Sequence, residues 1–409
     1  MKNVIVGQSG GPTAVINASL AGVAVAAMAA GCGVYGMKNG IQGFCRGPVR
    51  EAVVDLAAAL PDEAAVRLLK GTPAAVLGSC RRRLPAAEKD PALYRDIFAR
   101  LEELDVGYFF YIGGNDSMDT ILKLHDYGAS IGSPIRFVGV PKTIDNDLAV
   151  TDHTPGYGSA ARYIAAVTKE LIADSLVYDE KRVTLVEIMG RNAGWLTGAA
   201  ALAAGDDCPG PDLLYLPETP FDTEAFIARV AQLQQKRQSI VVALSEGIRD
   251  ADGAYVCETA GVGGQTMDVF GHRQLSGAAN VLSAVLAARL GAKCRAVELS
   301  TMQRCAAHLA SGADIAEAFA AGEAAVRAAL AGVGGHMVVL RCTRADGYTC
   351  RCETADIHDI ANAEKTVPVE WIDTENATVT PEFLAYVRPL ITGEAAAVWQ
   401  DGLPVHFTL

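Results

Sequence analysis

The chain is short of basic charge, of clustered cysteine and of histidines at metal-ligand spacing, and each shortage closes off a class of function. Lys and Arg together number 35 against 47 Asp and Glu, a formal net charge of −12. That balance argues against a nucleic-acid or anionic-membrane partner. It also means that any cations facing an anionic ligand must be gathered locally, so arginines beside motifs gain weight. The 10 cysteines are scattered, with only Cys350-Arg351-Cys352 closely spaced and no pair of CxxC units. Free thiols in a reducing, cytoplasmic setting fit this better than a disulfide framework or a zinc site. None of the 7 histidines shows ligand spacing. The N-terminus has no basic region followed by a secretory apolar core, and no Pro/Ser-rich stretch marks a linker.

What is present is a hydrophobic content of 50% over 409 residues, enough for two cores. Ser19 to Met37 carries no charge, but it is broken by Gly31-Cys32-Gly33 and follows a strand and a glycine turn. It reads as a buried helix rather than a membrane span. Apolar runs predict strands at Asn3–Val6, Ala74–Leu77, Tyr108–Ile112, Ile135–Val140, Val183–Ile188 and Ile240–Leu244. Helical patterns fall at Ile16–Ala30, Pro91–Leu104, around Asp119–His125, at Ser159–Val177 and at Trp195–Ala204. From Met337 the tail alternates as β structure through Thr354, then ends in a short helix and loops. This βα alternation implies an α/β fold with parallel sheets and ligands at the strand C-termini. Without a linker, two interleaved lobes are expected.

Three motifs follow predicted strands. Gly7-Gln8-Ser9-Gly10-Gly11-Pro12 sits between a strand and a helix, where backbone amides and the helix N-terminus favour phosphate. It lacks the lysine of a P-loop, and a tight turn would need the same glycines. Gly113-Gly114-Asn115-Asp116-Ser117 can be read as a helix cap by Asp116 or Ser117, yet a cap leaves the two glycines unexplained. Pro141-Lys142-Thr143-Ile144-Asp145-Asn146-Asp147 is the most specific. In extended backbone Asp145 and Asp147 would point to one side, one holding a hard cation such as Mg²⁺ and one taking a proton, while Lys142 neutralises a transferring phosphoryl group. Further on lie Arg182, Met189-Gly190-Arg191-Asn192-Ala193-Gly194-Trp195, Glu246-Gly247, Arg295 and Thr301-Met302-Gln303-Arg304. Arg191, Arg295 and Arg304 could together clamp a remote phosphate. The chemistry pointed to is phosphoryl transfer.

In this order the motifs resemble the phosphofructokinase family, in its pyrophosphate-dependent branch. The resemblance runs through Ser9-Gly10-Gly11, Gly78-Ser79-Cys80-Arg81, the two motifs after Ile112 and Val140, Met189–Trp195, Ser245-Glu246-Gly247, Gly271-His272-Arg273-Gln274-Leu275-Ser276-Gly277 and Gln303-Arg304. It implies two interleaved Rossmann-like lobes, each a mainly parallel sheet flanked by helices. The donor lobe, for pyrophosphate and Mg²⁺, would span 1–158 plus about 303–360, and the sugar-phosphate lobe 159–302 plus 361–409. The resemblance makes Asp145 the base that takes the proton from the C1 hydroxyl of fructose 6-phosphate, with Thr143 and Asp147 as neighbours at the substrate and the metal. Met189, Gly190, Arg191 and Glu246 would hold the sugar, and Arg295, Thr301 and Arg304 its 6-phosphate. Arg182 would reach into an adjacent subunit's site, so that a homodimer or homotetramer is required. Gly10, Gly11, Arg81, Asp116 and Lys142 would bind the donor, with Asn115 and Asp147 at the metal.

The donor rests on Asp116 and Lys142, where the ATP-using branch typically has glycine. A carboxylate at Asp116 would repel and displace a nucleotide's α-phosphate. Asn115 stands where relatives usually have a metal-binding aspartate, and Thr301 where His or Tyr is common. Alternatives are ATP as donor, sedoheptulose 7-phosphate as a further acceptor, or a catalytically silent sugar-phosphate-binding subunit. An NAD- or lipid-kinase-like activity would share the glycine turn but gives no reason for Met189–Arg191 and Gln303-Arg304.

Overall fold

The computed structural model describes residues 1–258, 277–395 and 397–409. Along the chain come β1 (Asn3–Gln8), β2 (Val34–Met37), β3 (Val53–Asp55), β4 (Val106–Gly113) and β5 (Arg136–Pro141). These are followed by β6 (Arg182–Ile188), β7 (Leu213–Tyr215), β8 (Ser239–Ser245), β9 (Lys293–Glu298), β10 (His336–Thr343) and β11 (Thr349–Asp356). The chain divides into two compact units, 1–159 with 304–364 and 392–409, and 160–303 with 365–391.

The first unit holds a seven-stranded sheet in the order β11-β10-β5-β4-β1-β2-β3. Its five inner strands run parallel, while β3 and β11 pair antiparallel at the two edges. The inner strands are buried apolar runs, as a sheet covered on both faces requires. Strand order reverses beside β1, between β2 and β4, so the loops after β1 and β4 open a crevice at their C-terminal ends. On one face the helix Ile16–Ala29 packs against the helix Gly312–Leu330. A Cβ on Gly22 would stand 2.0 Å from the Phe319 carbonyl oxygen, so only glycine permits this approach. The uncharged stretch is thus a buried helix only as far as Ala29, its last residues forming β2, and among the described residues no helix is long and apolar enough to cross a membrane.

The second unit carries a four-stranded parallel sheet, β7-β8-β6-β9. Its core gathers Val183, Leu185, Phe226, Ile240, Val242, Leu244 and Leu282. Trp195 stacks on Phe383 with ring centroids 6.0 Å apart, and Gly198 lies under the same ring.

Three expectations change. Ala74–Leu77 is not a strand. The Val76 and Leu77 N–H groups donate to the side chains of Asn17 (3.2 Å) and Gln8 (3.1 Å), and Ala74 adopts φ +64, so no ladder forms. Trp195–Ala204 is α-helical only to Ala199 and continues as a 3-10 turn to Ala203. The C-terminal residues 392–409 belong with the first unit rather than the second. The Thr392 carbonyl accepts from the Ser311 hydroxyl (2.8 Å) and the Ala313 N–H (3.0 Å), and the Phe407 N–H donates to Thr72 Oγ1 (2.8 Å).

Candidate active site

In the first unit the loops after β1, β4 and β5 converge. Gly10 takes φ +76, which a side chain would disfavour, and its carbonyl accepts from the Ser79 hydroxyl at 2.6 Å. Lys142 is buried and its Nζ donates to the Gly11 carbonyl at 2.7 Å. Burial lowers its pKa to about 8, Asp145 and Asp147 work to raise it, and Arg304 and Arg81 add to the fall. A Cβ on Gly11 would meet the Arg304 guanidinium at 3.2 Å. Glycine here lets two cations approach the backbone closely.

The helix Asn115–Ser130 begins directly from Gly114, with no side-chain cap. The capping roles considered for Asp116 and Ser117 are therefore not taken up. Gly113 is needed because a Cβ would fall 1.8 Å from Ser117 Oγ. Asp116, in the first helical turn, instead pairs with Arg83, which reaches it through Nε (2.7 Å) and Nη2 (2.6 Å). Arg83 was not singled out from the sequence; a third consecutive arginine after Cys80 was the available signal.

The Lys142–Asp147 segment is not extended, which corrects the alternation argument. Asn146 adopts φ +55 and is buried, its amide oxygen accepting from the Thr154 N–H at 3.1 Å. The Thr154 hydroxyl donates to the Thr143 carbonyl at 2.9 Å. The turn gives the two carboxylates separate surroundings. The Asp145 N–H bonds Thr143 Oγ1 at 3.1 Å, and the side chain stays half-buried. Asp147 accepts from Asn115 Nδ2 at 3.2 Å, and burial together with the Asp145 charge pushes it up to about 7.

Asn115 Oδ1 and Asp147 Oδ1 are both buried, and neither has a hydrogen-bond partner among the described residues. Two adjacent side chains each leaving a buried oxygen unsatisfied is costly unless something electropositive lies between them. Oxygen donors of this kind suit a hard divalent cation.

In the second unit the loops after β6 and β8 clasp each other. Gly190, at φ +136, donates its N–H to Glu246 Oε1 at 3.3 Å, and its carbonyl accepts from the Ser245 hydroxyl at 2.5 Å. The Met189 N–H donates to the buried Gln303 at 3.3 Å. A Cβ on Gly247 would stand 2.0 Å from the Arg191 carbonyl. Met189, Gly190, Arg191 and Glu246 are thus brought together, and Gln303, known beforehand only as part of a motif, holds the first of them.

The three arginines of the expected clamp are divided between the two units. Arg304 belongs to the first unit, beside Gly11 and near Arg81. Arg191 follows the C-terminal end of β6. Arg295 lies in the N-terminal half of β9, exposed, 3.9 Å from Asp174. Arg182 starts β6, paired with Glu180 at 2.6 Å and lying over the Tyr178 ring. Six residues of strand separate it from Met189, roughly 20 Å. Thr301 is exposed on the turn after β9. Of the Gly271–Gly277 motif only Gly277 is among the described residues; its N–H donates to Glu187 Oε1 at 2.9 Å.

A glycine-lined crevice with a buried ammonium, guanidinium groups and two differently placed carboxylates has the chemistry of phosphoryl transfer. A model of the family described as Phosphofructokinase matches residues 3–299, and the chain belongs to that family. The class is one of phosphotransferases, which generally use a divalent metal. The chain is similar to a pyrophosphate--fructose 6-phosphate 1-phosphotransferase of Xanthomonas campestris, with 41% identity over 100% of this chain and 96% of that protein. A protein of the same description from Methylococcus capsulatus is 37% identical over 100% of this chain and 96% of its own length. The crystal structure of a pyrophosphate-dependent phosphofructokinase from Nitrosospira multiformis superposes with a TM-score of 0.86 at 34% identity, covering 98% of this chain and 95% of that one.

Proposed function

We propose that the protein transfers a phosphoryl group reversibly from pyrophosphate to the C1 hydroxyl of fructose 6-phosphate, giving fructose 1,6-bisphosphate and phosphate. The observation that carries this reading is the pair Lys142 and Asp116 at one crevice. Lys142 lies buried on the Gly11 carbonyl, and Asp116 is fixed by Arg83 in the first turn of the helix after β4. An ammonium at that depth serves a compact, highly charged donor. A carboxylate held at the helix start opposes a further phosphate and its nucleoside.

In this reaction Asp145 accepts the C1 hydroxyl proton as the oxygen attacks the near phosphorus of pyrophosphate. Inorganic phosphate departs, and Lys142, Arg81, Arg304 and the Gly10-Gly11 amides stabilise the charge that develops on the transferring group. Asn115 and Asp147, with their unsatisfied buried oxygens, would hold Mg²⁺, which when bound neutralises donor oxygens and polarises phosphorus. Met189, Gly190, Arg191 and Glu246 orient the sugar. Thr143 braces Asp145 through the 3.1 Å bond to its N–H.

Arg182 and Arg295 serve the 6-phosphate from a neighbouring copy, with Thr301 and Arg304 acting within the same chain. What supports a homo-oligomer, dimer or tetramer, is that both arginines sit in the N-terminal halves of β6 and β9, away from the strand ends that carry Met189 and Thr301. A cytoplasmic setting is part of the same reading, supported by the 10 free cysteines.

The deciding experiment is steady-state kinetics on the purified protein with Mg²⁺ and fructose 6-phosphate, comparing pyrophosphate with ATP. Turnover with pyrophosphate and little with ATP is expected. Turnover with ATP alone would overturn the donor assignment, and turnover with neither would return the chain to the class of silent binding subunits.

A further inference from the structure

Behind the Thr143–Thr154 segment lies a buried polar cluster that the proposed reaction does not use. His153 is buried, with Nε2 2.6 Å from Glu317 and Nδ1 3.0 Å from Asp152. Burial opposes its charge, but bonds to Asp152, Cys342 and Glu317 outweigh that and hold it well above the usual imidazole range. Arg344 grips Asp152 through two bonds of 2.8 Å, and the Tyr348 hydroxyl donates to Glu317 at 2.5 Å. Into this cluster projects Cys342, whose sulfur lies 3.7 Å from His153 Nδ1 and 3.5 Å from the Tyr348 hydroxyl.

Cys342 sits directly across the β10–β11 ladder from Cys350. Opposed residues in an antiparallel pair have Cα atoms about 4.5–5.5 Å apart, within the span a disulfide bridges. Both cysteines are half-buried at the sheet edge and so remain reachable by a small oxidant. The groups facing Cys342 are His153 and Asp152 from the preceding loop, Glu317 from its helix, Arg344 and Tyr348 from the hairpin turn, and Cys350 and Cys352 from β11. The neighbouring Cys350 thiol is the largest influence; burial opposes it and His153 assists it, with the net effect of drawing the Cys342 thiol down to about 6. The proximity of Cys342, with burial, holds the Cys350 thiol above its usual range. One partner is therefore poised as a thiolate and the other as a thiol.

We infer that the β10–β11 hairpin is a peroxide-responsive modification site, in which Cys342 is the oxidised thiolate and Cys350 the resolving thiol. The Cys342 sulfur attacks a hydroperoxide oxygen, so that an S–O bond forms and the O–O bond breaks. Sulfur is oxidised to the sulfenic acid and the hydroperoxide is reduced, leaving as hydroxide or alkoxide that takes up a proton. The Cys350 sulfur then displaces the sulfenic oxygen, which leaves as water with the thiol proton, and the S–S bond closes.

The hairpin suits a direct test, because Arg341, Arg344 and Arg351 place Cys342, Cys350 and Cys352 on three different tryptic peptides. The full chain, fully reduced, is treated with a few equivalents of hydrogen peroxide, quenched in acid and digested without reductant. The expected product joins 342–344 to 345–351, two hydrogens lighter than the sum of the pieces, and reverts with dithiothreitol. In Cys350→Ala, dimedone should trap a sulfenic acid at Cys342. Without peroxide, iodoacetamide at pH 7 should label Cys342 about tenfold faster than Cys350. Oxidation that falls first on exposed Cys305, a 350–352 linkage that persists in Cys342→Ala, or equal labelling of Cys342 and Cys350 would each overturn the inference. Because the readout is covalent mass, a failure of the pyrophosphate reaction leaves this test unaffected.

Discussion

The two units build their loops on the same plan, a parallel sheet with function at the strand C-termini, but they treat charge differently. In the first unit Lys142 and Asp147 are taken out of water and displaced from their usual titration, to about 8 and about 7. In the second, the Met189–Arg191 and Ser245–Gly247 loops are held by bonds between their backbone and the side chains of Glu246, Ser245 and Gln303 and by close glycine packing, while Arg295 stays exposed. Desolvated charge costs stability, and in the first unit part of it stands at the crevice proposed to create and move charge. The recognition of a sugar proposed for the second unit needs shape and hydrogen bonds, which half-buried Arg191 and Glu246 and the backbone of these loops would provide.

The largest effect expected from this contrast is at the base. Asp145→Asn should lower kcat by about 10²–10⁴-fold while the KM for fructose 6-phosphate changes little, as steady-state kinetics would reveal. A comparable rise in KM with kcat intact would make Asp145 a binding group and erase the distinction between the units.

Next is Lys142→Met, for which a loss in kcat of about 10²–10³-fold with pyrophosphate is expected. The same change should raise the thermal unfolding midpoint. The folded pKa of Lys142 lies near 8, below the 10.5 of a free lysine, so below pH 8 the folded state carries an ammonium that burial penalises by about 3 kcal/mol. That penalty is relieved as pH rises from about 8 toward 10.5, because the folded chain releases its proton before the unfolded chain does. Activity should run the other way, falling as pH rises through about 8 and the ammonium is lost. A variant less stable than the parent at pH 7 would contradict the idea that this site trades stability for chemistry.

In the second unit the effects should be smaller and of another kind. Glu246→Gln keeps an oxygen for the Gly190 N–H, and should raise the KM for fructose 6-phosphate about tenfold, the scale of one charged hydrogen bond. If kcat fell instead, this unit too would be taking part in the chemistry. The mildest change is Asn115→Asp, which adds a charge beside the unsatisfied Asp147 oxygen. The Mg²⁺ concentration for half-maximal rate should fall several-fold, measured by metal titration; an unchanged value would remove Asn115 from the cation site.

Sequence reading was strongest where one residue's type and its place after an apolar run carry the message. β1, β4 and β5 are continuous buried runs, and the loops that follow them are the loops that converge. It was weakest where side chains compete with the backbone ladder. Ala74–Leu77 is apolar enough for a strand, yet Asn17 and Gln8 take its N–H groups from elsewhere in the chain. The Asp145–Asp147 spacing suggested one shared face, but a buried Asn146 in the left-handed region divides the pair. Arg304 and Arg295 are nine residues apart in sequence and fall in different units. Local pattern has no means of seeing such a boundary.

The sequence by itself determined the class of fold, the order of the loops and the chemistry of the groups they carry, because these follow from hydrophobic period, glycine placement and side-chain type. Tertiary structure decided which charges lose their water, which carboxylate faces Asn115, and that His153 meets a glutamate 164 residues further along the chain. Those outcomes depend on distances between segments remote in sequence. A pKa or an ion pair is set by what stands within a few ångströms, and only the folded chain brings those neighbours together.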